Sequence, residues 1–275
     1  MKRILVGIAA AATLLATGAL AADLPVKAPV YKAPVEVFGW TGFYVGGNIG
    51  YSAGQADNST TIDRFLTGLP LPGTLIGTNS AKNAADGFIG GGQIGYNWQI
   101  TNWLVGLEAD IQASGERGSS SVICLACSDD GTNIVTRLDQ SLNWFGTVRG
   151  RAGILATPDA VFYATGGLAY GEVNVTGSAT GNFNQTTVFL PGNSSTRFGW
   201  TVGAGVEGHI GGNWTAKLEY LYMDLGSVSG GPMQLTGILV PVRTVAGLSY
   251  SSHFTDNIVR AGINYHFNSP VVAKY

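Results

Sequence analysis

The sequence predicts an all-β protein: one eight-stranded antiparallel transmembrane β-barrel of the outer-membrane type. Three observations predict it. Eight segments alternate apolar and polar residues with period two, the signature of a strand with two unlike faces. The connections between them alternate short and long. The composition is rich in Gly (41 of 275 residues) and in aromatics (6 Trp, 11 Tyr, 11 Phe), while charged residues make up only 12%. That charged share is about half of what an ordinary soluble domain carries.

Residues 1–21 read as a signal peptide. Lys2 and Arg3 open it, an apolar run follows, and Ala19-Leu20-Ala21 supplies a small-residue cleavage site. Without Lys2 and Arg3, the 15 Lys plus Arg fall to 13 against 17 Asp plus Glu. This acidic balance offers no basic patch and excludes a nucleic-acid binder. Residues 22–39 form a leader containing Pro25, Pro29 and Pro34, expected to be an extended periplasmic spacer or a disordered end. The barrel is assigned to residues 40–267 and a short tail to 268–275. Beyond the signal there is no apolar run long enough for a helical span.

The first strand is expected over residues 41–51, with Phe43, Val45, Ile49 and Tyr51 on one face and Tyr44 and Asn48 on the other. The second covers 87–98, where Phe88, Ile94, Tyr96 and Trp98 alternate with Gln93 and Asn97. The third covers 102–112, with Trp103, Val105, Leu107, Ala109 and Ile111 opposite Glu108, Asp110 and Gln112. The fourth, 142–154, sets Trp144, Val148, Ala152 and Ile154 against Thr147, Arg149 and Arg151. Phe162, Ala164, Leu168 and Tyr170 form the apolar face of the fifth, 160–173. In the sixth, 197–210, Phe198, Trp200, Val202, Ala204, Val206 and Ile210 alternate with Thr201, Glu207 and His209. The seventh, 214–223, places Trp214, Ala216, Leu218, Tyr220 and Tyr222 against Lys217 and Glu219. The eighth, 257–267, places Val259, Ala261, Ile263, Tyr265 and Phe267 against Arg260, Asn264 and His266.

Three connections are short, near residues 99–101, 157–159 and 211–213. Four are long and polar: 52–86, 113–141, 174–196 and 224–256. Short periplasmic turns and long outer loops are the barrel pattern, and they put both chain ends in the periplasm. Trp40, Trp98, Trp103, Phe162, Trp214 and Phe267 lie near the short-turn end and are expected to form an aromatic girdle there. Hydrophobic stretches at 65–76 and 235–245 interrupt two long loops as hairpin extensions or adhesive patches. Either is open to being an additional strand.

The polar face is expected to point inward and to carry Glu108, Asp110, Glu207 and Glu219 against Arg149, Arg151, Lys217 and Arg260. Four acids facing four bases predict a paired ionic core rather than a selective pore, which needs one dominant sign. His209 and His266 are expected inside as hydrogen-bonded filler. Gly203-Ala204-Gly205-Val206-Glu207-Gly208 matches a dinucleotide fingerprint in letters only, because it lies within a strand and opens no helix. Cys124 and Cys127 form a C-x-x-C pair in a long loop of an oxidising compartment, which predicts a small disulfide, with free thiols as the alternative. No nucleophile, base and acid stand in a pattern that signals catalysis, so neither an enzyme nor a cofactor is expected.

Several stretches resemble a known family. They are Ala22-Asp23-Leu24-Pro25, residues 40–51 (WTGFYVGGNIGY), 90–97 (GGGQIGYN), 144–151 (WFGTVRGR), 217–224 (KLEYLYMD) and 259–267 (VRAGINYHF). Together they resemble the small outer-membrane surface proteins of Brucella and the rhizobia, over almost the whole mature chain. The resemblance implies a surface-exposed envelope protein, often labelled porin-like, with no catalytic residues to carry over. One departure is that related barrels commonly end on the last strand's Phe, whereas Phe267 is followed by residues 268–275. The expected role is structural, supporting envelope integrity. A narrow channel for small solutes is the alternative. Expected partners are outer-membrane lipids and lipopolysaccharide, the barrel-assembly machinery, and host or surface ligands at the long loops.

Overall fold

A computed structural model describes residues 36–66, 74–124, 133–181, 186–235, 244–267 and 271–272. The signal peptide, most of the leader, Cys127 and the centres of both hydrophobic loop stretches lie outside the described residues. The elements are β1 (Glu36–Val37), β2 (Gly42–Leu66), β3 (Thr74–Ile100), β4 (Trp103–Cys124), β5 (Ile134–Thr157), β6 (Ala160–Gly181), β7 (Thr186–Gly211), β8 (Trp214–Leu235), β9 (Thr244–His266) and β10 (Val271–Val272). Strands β2 to β9 form a closed barrel in sequence order, and β2 pairs with β9 to close it. Closure removes every free edge at the level of the lipid, where an unpaired backbone group has no water to turn to.

The outer wall explains why these segments are strands. Phe43, Ile49, Phe88, Ile94, Leu107, Leu168, Phe198 and Val259 all stand exposed on it, with Phe88 79% exposed. Such a surface is stable only against hydrocarbon. Trp98, Trp103, Phe162, Trp214 and Phe267 are exposed at the short-turn end. Trp40 departs from the expected girdle. It is wholly buried in the barrel mouth, because the chain enters β2 from inside the ring.

The expected long loops are largely strand. Each barrel strand continues well past the apolar band, so that β2 and β3 remain paired from Gly42↔Asn97 to Arg64↔Thr74. Above the band the outward positions turn polar, as with the Lys82–Asp57 pair, and inward positions such as Asn58 and Ser120 are polar too. Where both faces are polar, as around Asp57 and Asn58, the period-two contrast vanishes although the ladder continues. The leader and tail are also partly ordered, since β1 and β10 pair as Glu36↔Val272 and Val37↔Val271.

Two ladders stop early. The β3–β4 ladder ends at Asp86↔Arg117, and the β7–β8 ladder ends at Trp200↔Asp224. The other six continue toward the hairpin tips. Beyond the apolar band the wall therefore divides into two four-stranded sheets, β4–β5–β6–β7 and β8–β9–β2–β3. Their inner faces share one apolar cluster, with Leu142, Phe145 and Val173 from the first sheet and Leu225, Val228 and Ile258 from the second. This is the layering of a sandwich set on top of a barrel.

Glycines on the inner wall seat side chains from other strands. A Cβ on Gly95 would lie 2.3 Å from the Tyr44 hydroxyl and 2.7 Å from the Leu107 carbonyl oxygen. A Cβ on Gly92, on the outer face, would meet only a carbonyl oxygen at 3.7 Å. Gly95→Ala is expected to destabilise the barrel by about 1–3 kcal/mol, as overpacking does. Gly92→Ala is expected to be neutral within about 0.5 kcal/mol. Urea titrations of the lipid-embedded protein check the pair.

Candidate functional site: the closed lumen

The ionic core begins with neighbours on adjacent strands. Register places Glu108 opposite Arg149, Glu219 opposite Arg260, and Glu207 opposite Lys217. Opposite charges on directly facing positions favour one register over its slipped alternatives. Arg149 then reaches Glu108, Asp110 at 3.1 Å and Glu219 at 3.1 Å. Arg260 contacts Asp110 at 2.9 Å and Glu219 at 2.6 Å. Arg151 pairs with Glu207 at 2.7 Å, and its guanidinium lies 4.0 Å over the Tyr163 ring. Lys217 Nζ donates to both oxygens of Glu108 at 2.9 Å.

That last contact spans the bore. Strands β4 and β8 are four steps apart in a ring of eight, so Lys217 and Glu108 come from opposite walls. All eight charged residues are buried, and their formal charges sum to zero. Burying a lone charge in a low-dielectric interior costs several kcal/mol, so only a neutral, hydrogen-bonded set is tolerable here. Neutral groups add further hydrogen bonds. Tyr44 Oη donates to Glu108 (2.7 Å), Tyr163 Oη to Glu219 (3.1 Å), and Thr147 Oγ1 to Asp110 (2.8 Å). Thr215 Oγ1 and Asn264 Nδ2 donate to Glu207 at 2.6 and 2.7 Å. Tyr163 was legible by parity alone, since it sits between outward Phe162 and Ala164.

Three further layers seal the lumen. At the short-turn end Trp40 packs with Leu104, Val161 and Tyr163, and its Nε1 donates to the Pro158 carbonyl at 3.0 Å. Phe38 stacks on His209 at 4.3 Å and meets the buried His266 edge-on. Above the ionic core lies the apolar cluster. Highest is an amide ladder. Asn58 Nδ2 donates to Asn83 (2.8 Å) and Ser120 (3.2 Å), Gln140 Nε2 donates to Asn58, and Gln140 reaches Ser252 on the opposite wall at 3.0 Å.

Glu116 and Asp256 form a carboxyl pair that sequence reasoning missed, because both fell in expected loops. Glu116 lies thirteen positions along β4 from Trp103, and Asp256 ten positions back along β9 from His266, beyond the span of about ten residues that crosses the membrane. Both are buried, beside Leu142, Val173, Leu225 and Phe254. Their polar neighbours are hydroxyls: Ser114 donates to Glu116 at 3.1 Å and Ser52 to Asp256 at 3.5 Å. Burial, reinforced by the Asp256 charge, pushes the Glu116 carboxyl up to about 9. Burial likewise raises Asp256, to about 6.

Ser227, His253 and Asp224 meet on the outer face. Ser227 Oγ is 3.1 Å from His253 Nδ1, and His253 Nε2 is 3.5 Å from Asp224. The trio resembles a charge relay in composition only. The Asp contact is long, and the Asp224 Oδ1 oxygen is occupied by the Gly226 amide at 2.7 Å. Cys124 ends β4. Among the described residues no group of three or more His, Cys, Asp or Glu is placed to hold a metal.

A closed β-ring, apolar outside, polar and charge-neutral within, defines a transmembrane β-barrel protein. The chain belongs to the family described as outer membrane protein beta-barrel domain, whose model matches residues 8–267. It is 36% identical over 263 residues to the 31 kDa outer-membrane immunogenic protein of Brucella melitensis, covering 94% of this chain and 98% of that protein. It is 30% identical over 239 residues to the 22 kDa outer membrane protein of Rhizobium leguminosarum bv. viciae, covering 86% and 82%. Among solved structures it is similar to the outer membrane protein OprG of Pseudomonas aeruginosa, with a TM-score of 0.44 and 14% identity over 83% of this chain and 97% of that one. The protein is therefore an outer-membrane protein, and both relatives are named as outer-membrane proteins, the Brucella one as immunogenic.

Arg149→Met takes one cationic partner from each of three buried carboxylates, Glu108, Asp110 and Glu219, and is expected to destabilise by about 3–5 kcal/mol. Lys82→Ala removes only the exposed pair with Asp57 and is expected to change stability by less than about 0.5 kcal/mol. Heat-modifiable gel migration across a temperature series separates the two. The carboxyl pair gives a pH dependence. Both folded-state values are raised, so the folded chain holds protons that the unfolded chain releases. The associated stability is full below the ordinary carboxylate range and is lost as pH rises toward about 9. Hydrogen exchange of β4 above residue 114 is expected to quicken over that window, and Glu116→Gln to flatten the response.

Proposed function

We propose that this protein is a structural, surface-exposed component of the outer membrane that contributes to envelope integrity, and that it is neither an enzyme nor a channel. The carrying observation is the transverse ion pairing, in which Lys217 reaches Glu108 across the full width of the bore. Solute passage would require breaking several buried charge pairs at once. The narrow-channel alternative has the eight-stranded ring in its favour but has to displace this layer.

In this reading residues 1–21 direct export, and the barrel-assembly machinery recognises the aromatic end of β9 around Tyr265 and Phe267. The apolar band is solvated by membrane lipid. The polar outer half stands among the headgroups of lipopolysaccharide, and the hairpin tips meet host or surface ligands. A Cys124–Cys127 disulfide would brace the β4–β5 tip. Short turns and both chain ends face the periplasm by the usual barrel orientation.

In planar bilayers the folded protein is expected to give no stable conductance steps above baseline. A strain lacking it is expected to show raised sensitivity to detergents and leakage of periplasmic protein. Reproducible steps, or an envelope indistinguishable from the parent strain, would overturn the reading.

A further inference from the structure

The two early-ending ladders are not equivalent. The β3–β4 split is bridged by the amide ladder, because Asn58 holds both Asn83 of β3 and Ser120 of β4. At the β7–β8 split, residues 186–199 of β7 and 225–235 of β8 form no ladder with each other. Among the described inward side chains of β7 here, Ser195 and Arg197 are only half-buried. At the same level the inward side chains of β6 and β8, Val173, Val175, Leu225 and Val228, are buried in the apolar cluster. Thus β7 contributes less than its neighbours to the core here, and above Gly199, where the two backbones still touch, the seam lies over an apolar interior.

The foot of the seam is the Trp200–Tyr222 ring pair, with centroids 5.5 Å apart, facing outward at the upper rim of the apolar band. Such rings mark the boundary between acyl chains and headgroups. Below the cluster the ionic core closes the bore. Whatever enters through the seam can therefore return only to the outer leaflet or to the outside.

We propose that the β7–β8 seam admits a hydrocarbon chain between the two sheets, to lie against Val173, Leu225, Val228 and Phe254. A peptide strand is the less suitable occupant. Pro191 and Pro232 lie in the two segments and carry no backbone donor, and the β8–β9 ladder is irregular at Asp224/Gly226 and Gly230/Met233. A hydrocarbon needs no backbone partner. The resting cavity beside Leu225 and Phe254 is only about 10 Å³, so entry requires the sheets to part along the seam. The chain has two sources, an outer-leaflet lipid or a free apolar molecule.

The test is hydrogen exchange with mass spectrometry on the whole mature protein, in lipid nanodiscs and in lipid-free amphipol, with and without N-phenyl-1-naphthylamine. The expected result is that residues 186–199 and 225–235 exchange fast in amphipol and are protected by the probe, with matching probe fluorescence. Protection in nanodiscs before any probe is added identifies the lipid source. Protection only with the probe identifies the free molecule. Val228→Thr keeps the side-chain volume but adds a hydroxyl, and is expected to weaken probe binding about tenfold. Heat-modifiable migration confirms that this variant folds. The proposal is overturned if neither lipid nor probe protects the two segments, or if Val228→Thr binds the probe as well as the parent.

Discussion

In hydrocarbon, a polar group has no partner except one the protein brings with it. This constraint fixes the rest of the structure. It closes the backbone ladder through β2 and β9, because an open edge would leave a row of amides bare. It also requires the charges taken inside to cancel. Glu108, Asp110, Glu207 and Glu219 meet Arg149, Arg151, Lys217 and Arg260 within one layer, with tyrosine and threonine hydroxyls and the Asn264 amide adding further hydrogen bonds. The glycines of β2 and β3 follow from the same demand, since inward side chains such as Tyr44, Arg260 and Asn264 pack against them.

Above the membrane the constraint lifts, and the architecture changes. Water can satisfy the outer face, so the ladder need not close everywhere. Two seams open, and the interior switches from ion pairs to an apolar cluster capped by amides. The carboxyl pair of Glu116 and Asp256 sits at this change of regime. Among the described residues no Lys or Arg forms a salt bridge with it, and it relies on a retained proton instead. The lower half is held by electrostatic matching and the upper half by hydrophobic packing, so pH and salt act on the two halves differently.

The membrane-level part of the fold was legible because lipid imposes contrast. Outward Phe43, Leu107 and Val259 must be apolar while inward Tyr44, Glu108 and Arg260 need not be, and that difference is written at period two. The same strands were illegible higher up, where Asp57 and Asn58 face opposite sides with the same polarity. Glu116 and Asp256 were lost for that reason. Trp40 misled for another. An aromatic next to a strand end looks the same whether it faces lipid or turns into the mouth, and only the path of the chain through Phe38 decides. Which acid meets which base was likewise invisible, because Lys217 finds Glu108 across the ring rather than along a ladder.

The seat of Trp40 is made by many strands. Its backbone amide meets Gln99 at the end of β3, and its indole meets the turn after β5. Its ring packs on Leu104 of β4 and Val161 of β6, and lies edge-on to His266 of β9. No partial sheet offers this pocket. It exists only once β9 has come round to β2, so an indole from the chain's entry segment can be swallowed only by a finished ring. The buried indole thus marks circular order, since its seat draws on β3, β4, β6 and β9 together.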